Sequence, residues 1–138
     1  MLNDTPDLSA LQDFLGDAHL LLSRGQECLQ HFRLIGEDAD ASHCLILTLA
    51  SLRDKARYVE QLQIADFCEA LRVLLDPVEH RKRLHGAALG ILEACLCLLA
   101  WQVELIDPYS GTLNLDADEQ CELLDSLETT LRATLQTV

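Results

Sequence analysis

The most regular pattern of hydrophobic and polar positions in the sequence lies between residues 45 and 75. Its first part places apolar residues at spacings of three and four, which is typical of one stripe along an α-helix. This stripe consists of Leu45, Leu49, Leu52, Ala56 and Val59. Because successive residues of a helix are rotated by about 100°, the far side of the same helix carries Ala50, Arg53, Asp54, Arg57 and Gln61. The pattern predicts an amphipathic helix over residues 39–61.

Apolar stripes on either side of this helix predict two more. Downstream, the inward positions of a helix over residues 63–75 are Ile64, Phe67, Cys68, Leu71 and Leu75. Upstream, a longer stripe predicts a first helix over residues 8–34, with Thr5 or Asp4 before Pro6 as its N-cap. Residues 35–38 have the composition of a turn, and Asp38 or Asp40 can cap the helix that follows.

A fourth helix is predicted from Pro77 to about Ile106, and it is apolar on two sides. One stripe is Leu84, Ala88, Ile91, Cys95, Leu98 and Leu105, and the other is Leu89, Leu92, Leu96, Leu99, Val103 and Ile106. Both must be buried. The second stripe packs either against the first and fifth helices or across a homodimer interface around Leu89–Val103. The run is short for a bilayer and carries Glu93 near its middle, so no membrane insertion is expected.

The last stripe predicts a fifth helix over residues 117–136, with Asp116 as its cap. The stripe consists of Cys121, Leu124, Leu127, Leu131 and Leu135. The composition agrees with a helical protein, since 49% of the residues are hydrophobic but only 4% are aromatic. We therefore predict an all-α, up-and-down bundle of four to five helices, formed by residues 1–138 as one domain.

The net charge of −13 restricts the partners. Nucleic-acid binding and docking on anionic lipid both need a basic surface, so neither is expected. The start of the chain lacks the basic and apolar segments of a signal peptide, which predicts a cytoplasmic protein.

The six cysteines and five histidines do not form a recognisable chemical site. Cys95 and Cys97 point in different directions on a helix, and Cys28 with His31 is a metal half-site without a second pair. We expect reduced cysteines within the core, with no metal, no cofactor and no enzymatic activity.

Residues 50–58, with the sequence ASLRDKARY, carry a family resemblance. They resemble the central hairpin of a histidine phosphotransfer (HPt) domain, whose pattern is His-x-Leu-Lys-Gly-x-Ala followed by a turn and an amphipathic helix. Arg53 keeps the positive charge of the family's lysine. The positions that match the family's core are Leu52, Ala56, Ile64 and Leu71.

Two departures from the family pattern determine the expected function. Ala50 replaces the phosphoacceptor histidine, and a methyl group cannot act as a nucleophile. Asp54 replaces a glycine, which adds bulk and a charge of the same sign as the acidic pocket of a receiver domain. The resemblance implies a non-catalytic module that binds a receiver domain or histidine kinase through Ala50, Arg53, Asp54, Arg57 and Gln61. Two alternatives remain open, namely phosphotransfer through His43 and a dimeric helical scaffold.

Overall fold

The computed structural model describes residues 7–36 and 38–136, except for the side chains of residues 134–136. Six helices follow one another along the chain, and no strand occurs among the described residues. They are α1 (Leu8–Ile35), α2 (Ala39–Tyr58), α3 (Leu62–Leu75), α4 (Val78–Arg81), α5 (Gly86–Leu105) and α6 (Asp118–Gln136). The prediction of an all-α bundle is confirmed, with five long helices and the one-turn α4.

Aspartates begin the first two helices. The Asp7 carboxylate accepts hydrogen bonds from the backbone N–H groups of Ser9 and Ala10 at 3.0 and 3.2 Å. Asp38 caps α2 in the same way, which confirms one of its two predicted caps. The caps predicted for α1, Thr5 and Asp4, lie outside the described residues, whereas the start of α1 at residue 8 is confirmed.

The prediction that α2 extends to Gln61 is wrong. The helix ends at Tyr58, and Glu60 then adopts a positive φ of 62°, which a continuous right-handed helix does not contain. The N–H of Gln61 returns to the carbonyl of Ala56 at 2.8 Å, closing a tight turn. The α3 helix starts at once, so α2 and α3 form the expected antiparallel hairpin.

The predicted fourth helix is two helices. The α4 helix stops after one turn, and residues 82–85 form a separate turn before α5. His85 is extended, and Gly86 has a φ of 56°, a conformation that glycine adopts without the steric cost of a β-carbon. Leu84, which lies between α4 and α5, is buried, so the chain contacts the core where the predicted helix is interrupted.

The helices enclose one continuous core. The α1 helix packs against α2 and α5, α2 packs against α3, and α6 completes the bundle by contacting α5 and α3. The second stripe of the predicted fourth helix is buried throughout, at Leu89, Leu92, Leu96, Leu99, Val103 and Ile106. This stripe therefore packs within the chain and is not available for a homodimer contact, whereas a homodimer through another side of the helix around Leu89–Val103 stays a prediction.

Two positions, one on α5 and one on α6, are more exposed than the predicted stripes indicate. Cys121, expected in the core, is exposed on α6, and Leu105 is 46% exposed at the end of α5. Leu127 and Leu131 are fully buried as predicted, while the Leu135 side chain lies outside the described part of the structure. By length and composition α5 is long and apolar enough to cross a membrane, but half of its apolar window is buried in the bundle.

Candidate functional site

Four of the five predicted binding residues lie on one side of the α2–α3 hairpin. Ala50 is half-buried on α2, with Arg53 one turn further and Arg57 one turn beyond it. The opposing residues on α3 are Glu69 and Arg72. We call these five residues, together with Asp54 beside Arg53, the α2–α3 surface.

A chain of ion pairs crosses the α2–α3 surface. The Arg53 guanidinium donates to Asp54 at 3.0 Å and to Glu69 at 2.7 Å. The second carboxylate oxygen of Glu69 accepts a hydrogen bond from Arg72 at 2.6 Å. Two guanidinium groups and two carboxylates thus neutralise one another, and the Arg53 side chain is only 18% exposed.

The same hydrogen bonds keep these groups charged. Hydrogen bonds from Arg72 and Arg53 hold the pKa of Glu69 below its ordinary value, against a smaller opposing effect of burial. Hydrogen bonds to Asp54 and Glu69 raise the pKa of Arg53. Glu69 and Arg53 thus each stabilise the charged form of the other, and the hydrogen bonds hold their side chains in place.

Four of the five predicted binding residues lie together, and the fifth does not. Asp54 and Arg57 are exposed beside Ala50 and Arg53, and Arg57 forms no ion pair with any residue that the structure describes. Gln61 is only 6% exposed, because its side-chain amide donates to the carbonyl of Gly111 at 2.7 Å. Its role is to fasten the segment before α6, and it lies off the α2–α3 surface.

Sequence reasoning missed Glu69 and Arg72. The sequence of α2 alone indicates two arginines against one carboxylate, whereas the α3 residues complete a neutral network around Arg53. Glu69 and Arg72 are three residues apart, and residues three apart are neighbours on a helix surface. This spacing is the signal in the sequence for their ion pair. Arg57 remains as the single unpaired cation of the α2–α3 surface among the described residues.

Ala50 occupies a shallow apolar position between charged groups. Since α2 and α3 are antiparallel and Arg53 meets Glu69, Ala50 lies one turn away at the level of Arg72 and Val73. Val73 is 55% exposed. The position presents a methyl group and no nucleophilic atom, so it can take part in contact but not in phosphoryl transfer.

The histidines are dispersed over the bundle. His19 and His31 lie 3.7 and 3.9 Å from Glu104 and Asp38, and the His80 ring nitrogen lies 2.7 Å from the carbonyl of Leu74. Among the described residues, no group of three or more histidines, cysteines and carboxylates is arranged to hold a metal ion.

His43 is an exposed histidine that lines a cleft. It is exposed on α2, two turns before Ala50, and lines a cleft of about 540 Å³ between α1 and α2. Arg24 and Ser51 line the same cleft. An imidazole in this position is accessible to a second protein.

The cysteines divide into buried and exposed groups. Burial raises the pKa of Cys28, Cys68 and Cys95 to about 12 in each case, and the adjacent Cys44 contributes at Cys28. These three thiols are therefore protonated at neutral pH, which agrees with the expected core role. Cys97 and Cys121 are exposed, so the expectation that the cysteines lie in the core is wrong for these two.

A second cleft, of about 520 Å³, borders the α2–α3 surface at the end of α2. It is lined by Asp7, Ser9, Ala10, Asp13, Phe14, Asp17, Asp54, Lys55, Tyr58 and Val59. The Lys55 ammonium is 3.3 Å from Asp17 and ties α2 to α1 across it.

Comparison with known proteins found no matching family model, no matching curated protein and no matching solved structure.

Proposed function

We propose that the protein is a non-catalytic interaction module, an HPt-like bundle that binds a receiver domain or histidine kinase without phosphotransfer. It would act in the cytoplasm, in a bacterial two-component or chemotaxis-like pathway. The observation that carries the proposal is the position of Ala50, where a methyl group lies beside an ordered, neutral charge network. The α2–α3 surface is the binding site in this proposal.

The packing of the hairpin supports the HPt-like interpretation. The residues that match the family's core positions, Leu52, Ala56, Ile64 and Leu71, are each 1% exposed or less. The residues that match its exposed active face, Ala50 and Arg53, point away from this core. Burial of the core positions and partial exposure of Ala50 support a retained scaffold with a lost nucleophile.

The ion-pair network prepares the α2–α3 surface for binding. Ordering a long side chain on association costs about 0.5–1.5 kcal/mol. Arg53 and Arg72 are already held by Glu69, so this cost is largely met before a partner arrives. Asp54 is also held, and its pairing with Arg53 reduces its repulsion of an acidic receiver pocket.

Arg57 supplies the attraction in this arrangement. It is exposed and unpaired among the described residues, so its charge is directed at a partner rather than at the bundle. An acidic surface on the partner, such as the pocket of a receiver domain, matches it.

Arg57→Glu tests the binding surface. The bundle should fold as before, because the side chain is exposed, while affinity for a receiver domain or kinase should fall by about tenfold or more. The matched control is Lys82→Glu, which makes the same charge change at an exposed position between α4 and α5. Arg53→Glu is less informative, since it would bring three carboxylates together within the network.

The measurement is a titration of labelled protein against the receiver domains and kinases recovered with it from native lysate. Equal affinity of the wild type, Arg57→Glu and Lys82→Glu would remove the α2–α3 surface from the proposal. Failure of every receiver domain and kinase to bind the wild type would remove the HPt-like function itself.

Phosphotransfer through His43 is the second candidate, favoured by the exposure of this histidine beside Arg24. Incubation with a phosphorylated receiver, or with a kinase and labelled ATP, should then give an acid-labile phosphate on the wild type. His43→Gln should abolish it, and His31→Gln is the control. Absence of label on the wild type would exclude this activity.

A further inference from the structure

One outward sector of α5 is apolar along the whole length of the helix. Six positions fall within a sector of about 80° facing away from the core. They are Ala87, Gly90, Ala94, Cys97, Trp101 and Leu105, which we call the outer α5 face. Five of these six are exposed and Ala94 is half-buried, and none carries a charge.

This side differs from the rest of the surface. The protein has a net charge of −13, and the outward side of α6 carries Asp118, Glu122 and Asp125. Trp101, the single tryptophan of the chain, is nevertheless 64% exposed on α5. No charged residue lies within the outer α5 face itself, which is the pattern of a helix side that another surface covers.

Side-chain size changes along the outer α5 face in a way that suits a second copy of the same helix. Small residues, Gly90 and Ala94, occupy its first half, and the bulky Trp101 and Leu105 occupy its second half. In a twofold pair of antiparallel helices, a residue that follows the axis along the chain faces the residue of the other copy that precedes the axis by the same distance. An axis beside Cys97 places Trp101 opposite Ala94 and Leu105 opposite Gly90, so large side chains meet small ones throughout.

The charges that border the face fit the same arrangement. On the side where α1 lies, Arg33 is paired with Glu93 near the middle of α5, and His19 with Glu104 at its C-terminal end. The twofold axis keeps α1 of both copies on one side of the contact. Glu104 of one copy then lies within about 3 Å, along the helix axis, of the level of Arg33 of the other. Because Arg33 is paired with Glu93, Glu104 of one copy lies near this ion pair of the other copy at two symmetric places.

We infer that two copies of the chain associate through antiparallel packing of their outer α5 faces, with the twofold axis beside Cys97. One helix pair buries less than the roughly 800 Å² per partner of a standard stable interface. The dimer is therefore expected to form reversibly in the micromolar range. The contact lies on α5, and the α2–α3 surface stays open in the dimer.

Trp101→Glu and Leu20→Glu form a matched pair for sedimentation velocity. Both remove an exposed apolar side chain and add one negative charge, but Leu20 is 71% exposed on α1 and lies outside the outer α5 face. The wild type and Leu20→Glu should dimerise with rising concentration, while Trp101→Glu should stay monomeric with an unchanged circular dichroism melt. A wild type that is monomeric throughout the micromolar range would overturn the inference, as would a Trp101→Glu dimer of wild-type affinity.

Cross-linking tests the position of the axis. A short bismaleimide should link two wild-type chains through Cys97, the exposed thiol nearest the axis. Cys97→Ser should lose this product, and Cys121→Ser should keep it, since Cys121 is exposed on α6 instead. Efficient linkage that survives Cys97→Ser would show that the copies meet elsewhere. Because neither test uses the α2–α3 surface, failure of the dimer and failure of the proposed function are distinguishable.

Discussion

Glu69 is the residue on which the order of the α2–α3 surface depends. Its two carboxylate oxygens hold two guanidinium groups, one on α2 and one on its own helix. Without this charge, Arg72 loses its partner and Arg53 keeps only Asp54. A single side chain therefore determines both the neutrality of the ion-pair network and the orientation of Arg53 and Arg72.

Glu69→Gln should lower the free energy of unfolding at neutral pH by up to about 1 kcal/mol, since the pairs are partly exposed to water. Folding depresses the pKa of Glu69 below 4.5, so the stabilisation is present above that pH and is lost as the pH falls through the folded-state pKa. Urea unfolding of both proteins at neutral and acidic pH measures the difference, with Glu122→Gln on α6 as the control. A difference that persists in acid would show that the charge is not its source.

Two glycines within α1 differ in the space around them. Substituting each by alanine separates the effect of core packing from the intrinsic helix propensity of the residue. A β-carbon at Gly16 would meet no atom within 4 Å. At Gly25 it would lie 3.3 Å from a methyl of Leu96 on α5 and 3.8 Å from a methyl of Leu45 on α2. The α1 helix thus approaches two neighbours most closely where it lacks a side chain.

Gly16→Ala should stabilise the protein by about 1 kcal/mol, because alanine loses less backbone entropy in a helix than glycine does. Gly25→Ala gains the same propensity but presses on Leu96, so its stability should fall clearly below that of Gly16→Ala. Thermal melts of the two variants beside the wild type give the comparison. Equal stabilisation by both would mean that Leu96 moves aside without cost.

The helices were predictable from the sequence to the extent that local signals determine them. Periodic stripes identified the five long helices, and the aspartate caps at residues 38 and 116 follow from side-chain chemistry. The ends of α2 and α4 were not predictable in this way. They depend on the positive φ of Glu60 and on the extended His85, which an apolar periodicity does not reveal.

The candidate site was predictable for the residues of α2 and not for their partners. Ala50, Arg53, Asp54 and Arg57 share one side of a helix by spacing alone. The pairing of Arg53 with Glu69 joins residues 16 positions apart and depends on how α3 packs beside α2. Gln61 was misplaced for the same reason, since its partner Gly111 is 50 residues away.

On the scale of the whole molecule, net charge should affect the two proposed interactions in opposite directions. Two copies that each carry −13 repel one another, and salt screens this repulsion. The exposed ion pairs at the edges of the dimer are individually weak and offset little of it. Binding of an acidic partner through Arg57 instead depends on an attraction that salt weakens.

Raising the salt concentration should therefore strengthen dimerisation and weaken binding at the α2–α3 surface. Sedimentation and partner titration over one series of sodium chloride concentrations measure both effects on the same protein. Parallel changes in the two affinities would mean that a single surface serves both interactions.

The attachment of the segment before α6 has a consequence for cooperativity. The side chains of Gln61 and Gln63, at the start of α3, donate to the carbonyls of Gly111 and Asp116. The α6 helix packs on α5 and α3, and it is bonded to α5 through Gln102 and Gln120. These bonds hold the segment against the bundle at the α2–α3 turn. We therefore expect the backbone amides of the turn and of the segment to exchange with solvent together.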